Sequence, residues 1–214
     1  MKYDTIIFDL DGTLLNTLDD LKDSLNYALT KHGHKPRTSE EVKSFVGNGV
    51  KMLMRRALPI HSTEEEVEKC LATFTSHYKT NMQNKTGPYD GIMELLQYLD
   101  KNNYKLAIVS NKFDSAVKEL AKHYFDDLIS VAIGESPDVK RKPAPDSILT
   151  AIRLLGSDKN KSLYVGDSET DVQTAKNAGI PCVGVTWGFR TRETLKNEGA
   201  DYLIDEPKEL LSLI

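Results

Sequence analysis

The sequence predicts an α/β chain: a doubly wound parallel sheet with a small all-helical domain inserted after its first strand. Three observations carry this. Short, continuous runs of β-branched and aromatic residues alternate with amphipathic helical patterns. Most of these runs end at turns rich in glycine, acids or hydroxyls rather than at hairpin signals, so the strands connect through helices and lie parallel. One stretch of about 70 residues, a size at which a domain can hold its own core, shows helical periodicity and no strand.

The first run, Thr5-Ile6-Ile7-Phe8, has the composition of a strand buried on both faces and ends at Asp9-Leu10-Asp11-Gly12-Thr13. Helical patterns then occupy 16–86. Leu18, Leu21, Leu25 and Leu29 are spaced for one helix, and 42–46, 50–58 and 67–78 for three more. Thr63-Glu64-Glu65-Glu66 is the start of the last, a hydroxyl cap followed by acids that favour the helix dipole. From residue 87 the alternation returns. Helical patterns at Ile92-Leu95-Leu96-Leu99, Ala116-Leu120-Ala121-Tyr124, Ile148-Ala151-Ile152-Leu155 and Val172-Ala175-Ala178 separate strands expected at 106–109, 128–133, 163–165 and Cys182–Val185. The expected division is a core of 1–15 and 87–214 and a helical cap of 16–86. An insertion at that point would lie above the carboxyl ends of the strands, where open α/β sheets bind ligands.

With 28 Lys plus Arg against 32 Asp plus Glu, the net charge is −4, which supplies no global field for a polyphosphate backbone and argues against nucleic acid as a partner. Cys70 and Cys182 form no CxxC pair, which excludes a disulfide framework or structural zinc site and leaves both as buried small residues. The apolar stretch at the start is broken by Asp9 and is too short for a signal peptide or a membrane span, so a cytoplasmic protein without membrane contact is expected. Asn84-Lys85-Thr86 and Asn160-Lys161-Ser162 match the glycosylation sequon by chance under that expectation.

The chemistry sits at four strand ends. Asp9 and Asp11 close the first, where a surface turn would also carry paired acids. Ser110-Asn111-Lys112 closes the second and by itself also reads as a helix cap. Lys142 lies in Arg141-Lys142-Pro143-Ala144-Pro145, whose prolines stiffen the backbone that presents it, although a solvated basic loop has the same composition. Gly166-Asp167-Ser168-Glu169-Thr170-Asp171 opens a helix. In a doubly wound sheet these ends converge on one crevice. Asp9, Asp11, Asp167 and Asp171 would repel one another there without a hard cation, and an all-oxygen set suits Mg²⁺. A lysine, a hydroxyl and free N–H groups beside that cation make a phosphate site.

In order and spacing, Asp9-Leu10-Asp11-Gly12-Thr13-Leu14, Ser110-Asn111, Lys142-Pro143 and Gly166-Asp167-Ser168-Glu169-Thr170-Asp171 resemble the four motifs of the haloacid dehalogenase (HAD) superfamily. The resemblance covers essentially the whole chain and implies a Rossmann-like core with a cap between the first and second motifs. It implies that Asp9 is a nucleophile forming an aspartyl phosphate, and that Asp11 protonates the leaving oxygen and then deprotonates water. Ser110 and Lys142 would hold the phosphoryl oxygens. Asp167 would bind Mg²⁺ with the Asp9 carboxylate and the Asp11 backbone carbonyl, and Asp171 would orient the metal shell. Asp11 favours ester hydrolysis over dehalogenation, since a halide needs no proton to leave.

Three alternatives stay open on the sequence: an inorganic pyrophosphatase, a sugar-phosphate mutase, and a non-enzymatic phosphoacceptor domain. The last would gain nothing from Asp11 as a base or from a lid. For substrate binding the candidates are Ser110, Asn111 and Lys142 in the core and Gly47-Asn48-Gly49 in the cap, a segment that also reads as an ordinary turn. That segment, and Val185-Thr186-Trp187-Gly188-Phe189-Arg190-Thr191-Arg192, look like those of phosphoglycolate phosphatases. Trp187 reads as packing. Lys51, Arg55 and Arg56 are candidate cations for a substrate carboxylate or second phosphate. The expected partner is a small phosphate compound, and the expected assembly a monomer or homodimer.

Overall fold

In the computed structural model, which describes residues 2–214, the chain begins with β1 (Thr5–Phe8) and β2 (Leu15–Asn16). Helices α1 (Leu18–Lys31), α2 (Ser39–Phe45), α3 (Val50–Ala57) and α4 (Glu64–Asn81) follow, then β3 (Gly87–Pro88). The alternating part runs α5 (Ile92–Lys101), β4 (Lys105–Phe113), α6 (Asp114–Phe125), β5 (Val131–Glu135), α7 (Asp146–Leu154) and β6 (Ser162–Gly166). It closes with α8 (Glu169–Ala178), β7 (Cys182–Val185), α9 (Arg192–Glu198) and β8 (Tyr202–Ile204). No helix among the described residues is long and apolar enough to cross a membrane.

The chain forms two compact units, one of the residues up to Leu15 with Pro88–Ile214 and the other of Asn16–Gly87. In the first, six strands pair in the order β5-β4-β1-β6-β7-β8, all parallel. β1 lies inside this sheet, and its four residues are buried, as a strand covered on both faces requires. The chain leaves β1 toward β4 and β5, then returns to β6 on the other side. That reversal is the topological switch at which α/β sheets bind ligands. One contiguous apolar cluster, with Ile7, Val109, Ile148, Tyr164, Val172 and Leu195 among its members, fills the space between the sheet and the helices.

Several elements depart from the sequence expectation: β2 and β3 were not expected and pair as a two-stranded sheet, and β4 runs on past 109 to Phe113. β5 starts at Val131 rather than 128, because Asp126–Leu128 closes as a 3₁₀ turn after α6. β8 was not expected: three residues are too few to show an alternation. Neither was α9, which buries only Leu195 and is started by Thr191, whose side chain accepts the Thr194 N–H.

In the second unit, α1 packs on α2 and α4, and α3 on α2 and α4. Their buried faces carry Leu25, Leu29, Val42, Met54, Cys70 and Phe74. Thr38 and Glu41 form a reciprocal capping box on α2, and Thr63 caps α4 as its composition predicts. Asp20 is buried on α1 and accepts hydrogen bonds from the Lys85 and Thr86 N–H groups and the Thr86 hydroxyl. A buried carboxylate is tolerated because these donors replace water.

Candidate active site

Asp9 extends the β1–β6 pairing by one residue, its N–H donating to the Val165 carbonyl at 2.8 Å. The chain then folds tightly, the Leu10 carbonyl accepting from the N–H groups of Thr13, Leu14 and Leu15. Gly12 makes this possible, with φ at +88°, and a Cβ there would lie 2.3 Å from Asp167 Oδ2. The loop after β1 can therefore touch the loop after β6 only with glycine at this position.

At the end of β6, Ser168 caps α8 and forms a capping box with Asp171. The Ser168 hydroxyl and N–H both donate to Asp171 Oδ2, at 2.6 and 3.0 Å. A Cβ on Gly166 would come within 2.4 Å of Asp171 Cβ, so the bare backbone of the last β6 residue admits the Asp171 side chain beside it.

Lys142 joins these ends. Its ammonium donates to Asp9 Oδ1 at 2.8 Å and Asp171 Oδ1 at 2.7 Å, and lies 3.1 Å from the Tyr164 hydroxyl and 3.2 Å from the Val109 carbonyl. The Tyr164 hydroxyl in turn donates to Asp171 Oδ1 at 2.9 Å. The pairing of β4 with β5 slips between Val109 and Phe113, which frees Ser110, Asn111 and Lys112 from a regular ladder. Asn111 was expected to meet substrate. Its amide clasps the Lys142 main chain, Nδ2 donating to the carbonyl at 3.1 Å and Oδ1 accepting from the N–H at 2.8 Å. Ser110 Oγ accepts from the Lys112 N–H at 3.3 Å, and Lys112 Nζ donates to Asp11 Oδ1 at 2.7 Å.

Carboxylate oxygens of Asp9, Asp167 and Asp171, all buried, lie within 4.8 Å of one another. The Asp11 carboxylate, expected with them as the fourth acid around one cation, is not in this group, which leaves its backbone carbonyl as the candidate ligand. Burial, and then the charge of Asp171, push Asp9 up to about 7 against the pull of Lys142. The same two causes hold Asp167 well above the usual carboxylate range. Burial would lower Lys142, but Asp171 and Asp9 outweigh it and hold the ammonium charged. Three buried carboxylates against one ammonium leave uncompensated negative charge. Asp171 has both oxygens occupied by protein donors, whereas Asp167 accepts only the Phe189 N–H, at 2.6 Å on Oδ2, among the described residues. A hard divalent cation with oxygen ligands fits this donor set, with Asp167 the most open of the three.

Gly47 and Gly49 both take positive φ in the turn between α2 and α3. Arg56 braces this turn, donating to the Phe45 carbonyl and to Asn48 Oδ1, each at 2.7 Å. Lys51 pairs with Glu64 and Glu68, and Arg55 with Glu64. All three candidate cations thus have partners inside their own unit. Trp187 donates to the Thr13 carbonyl at 3.0 Å. Sequence reasoning missed Tyr164, which reads as a core residue of its strand run, and the pairing of Lys112 with Asp11. The signal for Lys112 was a lysine directly after Ser110-Asn111.

The model of the haloacid dehalogenase-like hydrolase family matches residues 6–185. A phosphoglycolate phosphatase of Mesorhizobium japonicum is 36% identical over 92% of this chain and 89% of its own. One from Aquifex aeolicus is 31% identical over 98% and 95%. A crystal structure of a Lactobacillus delbrueckii subsp. bulgaricus protein, provisionally named a phosphoglycolate phosphatase, superimposes with a TM-score of 0.96 at 37% identity, covering 100% of this chain and 99% of that one.

Proposed function

The chain belongs to the haloacid dehalogenase-like hydrolases and is a phosphatase of that family, and on this premise we propose that it hydrolyses a small phosphomonoester through an aspartyl phosphate on Asp9. The observation that carries this reading is the position of Asp9: at the end of β1, one oxygen held by Lys142, beside Asp167 and Asp171. A carboxylate presented this way attacks phosphorus and splits hydrolysis into two easier steps, since the acyl phosphate it forms is readily attacked by water.

The other residues divide the remaining work. Lys142 and the Ser110 hydroxyl hold the phosphoryl oxygens as charge spreads over them, the main requirement of phosphoryl transfer. Asp11 gives a proton to the departing oxygen and later takes one from the attacking water. Asn111 and Tyr164 position Lys142 through its main chain and its ammonium respectively. Asp9 and Asp167, with the Asp11 backbone carbonyl, would hold Mg²⁺, and Asp171 would orient its shell; the cation would supply positive charge to the phosphoryl oxygens and offset the excess carboxylates. Because these residues act on the phosphoryl group alone, choice of the leaving group falls to the inserted unit, in which Gly47, Asn48 and Gly49 are the candidate contacts. The relatives' names favour phosphoglycolate as the substrate.

The test is kcat/KM across phosphoglycolate, pyrophosphate, hexose phosphates and nucleotides, with Mg²⁺ and with EDTA. Phosphoglycolate is expected to lead the panel, with turnover lost in EDTA. Equal rates across the panel overturn the substrate assignment, and undiminished rates in EDTA overturn the metal.

A further inference from the structure

We propose that Lys112 is a positioning residue for Asp11, fixing the carboxyl that exchanges protons with the leaving group and with water. The proposal rests on the reading of Asp11 as acid and base, and adds the device that holds it in place.

Lys112 is an ammonium in an unusual position. Its side chain is only 2% exposed, and it lies in the irregular end of β4 rather than on a surface. A buried charge persists only where it is paired and hydrogen-bonded, and Lys112 pairs with Asp11 Oδ1 at 2.7 Å. Asp11 is also set apart from the other acids. The carboxylates of Asp9, Asp167 and Asp171 cluster together with Lys142, while that of Asp11 is outside the cluster and faces a lysine of its own. The site is therefore built as two cation–acid groups. Both are indexed from one short segment: Asn111 clasps the main chain of Lys142, and the next residue supplies the ammonium for Asp11.

What this does follows from the loop that carries Asp11. That loop turns through Gly12 at positive φ, which sets the course of its backbone but not the side-chain torsions of Asp11. The Lys112 bond restrains them. It engages Oδ1 and leaves Oδ2 as the oxygen that gives and receives the proton. Proton transfer needs heavy atoms within hydrogen-bond reach, and a displacement of about 1 Å costs on the order of 10²-fold in rate.

The experiment is a double-mutant cycle of K112M and D11N, measured on phosphoglycolate, whose alkoxide must be protonated to leave, and on p-nitrophenyl phosphate, whose phenolate leaves largely unaided. K112M is expected to lower kcat/KM, which reads the first transfer and not the shared attack of water, by about 10²-fold on phosphoglycolate. The loss of kcat/KM on p-nitrophenyl phosphate should be about tenfold smaller, with no further loss when K112M is added to D11N. A general loosening of the fold would not separate the two esters. Equal losses on both, or full additivity with D11N, overturn the proposal. If D11N itself fails to separate the esters, the assignment of Asp11 as proton donor falls instead. Should K112M not fold, K112R carries the same cycle, and a uniform loss in that variant is equally decisive against the proposal.

Discussion

Asp9 is ionised at a cost to the fold, because burial and Asp171 raise its carboxyl to about 7 from 3.8. Replacing it with Asn keeps an oxygen for Lys142 and removes one of three crowded charges. D9N is accordingly expected to abolish turnover of every phosphate ester and yet to melt at a higher temperature than the parent in EDTA at pH 8. A lower Tm would show that the ion pair with Lys142 outweighs the burial cost. At this scale the sequence displayed the reacting groups but not their neighbours. Lys142 stood out between prolines, and Asp167 and Asp171 after an apolar run. The hydroxyl of Tyr164 did not, since a tyrosine within a strand run reads as packing until the fold sets it 2.9 Å from Asp171. Asn111 stood out as an amide beside Ser110, which suggests a ligand contact; that it also braces the Lys142 main chain only their distance shows.

Strand ends rather than strands carry the chemistry, and their shape depends on where side chains are missing. Gly166 is the clearest instance, because a methyl there would overlap Asp171 at 2.4 Å. G166A is expected to lower stability by about 1–3 kcal/mol, the usual cost of overpacking, as read by urea unfolding. It should also lower activity by moving Asp171 off Lys142; unaltered stability and rate would show that α8 can shift without consequence. Long elements were legible because they repeat a period: α1 and α4 show apolar spacing, and α4 its cap. α9 and β8 were not, because each is short and α9 buries a single apolar residue, too little for any pattern to rise above chance.

For the molecule as a whole, the acidic cluster links pH, metal and stability. The folded pKa of Asp9 lies above its unfolded value of 3.8, so its contribution to stability is fully present below about 4 and is lost as pH rises through about 7. Asp167 shifts in the same direction. Metal-free protein is therefore expected to melt at a lower temperature at pH 8 than at pH 5.5. Mg²⁺, which binds the ionised carboxylates, should raise Tm more at pH 8 than at pH 5.5. Thermal unfolding in EDTA and in Mg²⁺ at the two pH values checks both, and equal Mg²⁺ shifts would refute the linkage. The sequence by itself determined the fold class, the family and which residue types stand at the strand ends, because these are local properties: apolar runs, their period and the residues that interrupt them. Only the tertiary structure decided who faces whom. Lys142 meets Asp9 across 133 positions and Lys112 meets Asp11 across 101, through a strand order in which the first strand lies between the fourth and the sixth. No local pattern encodes that order, since it is set by which faces bury together when the whole sheet closes.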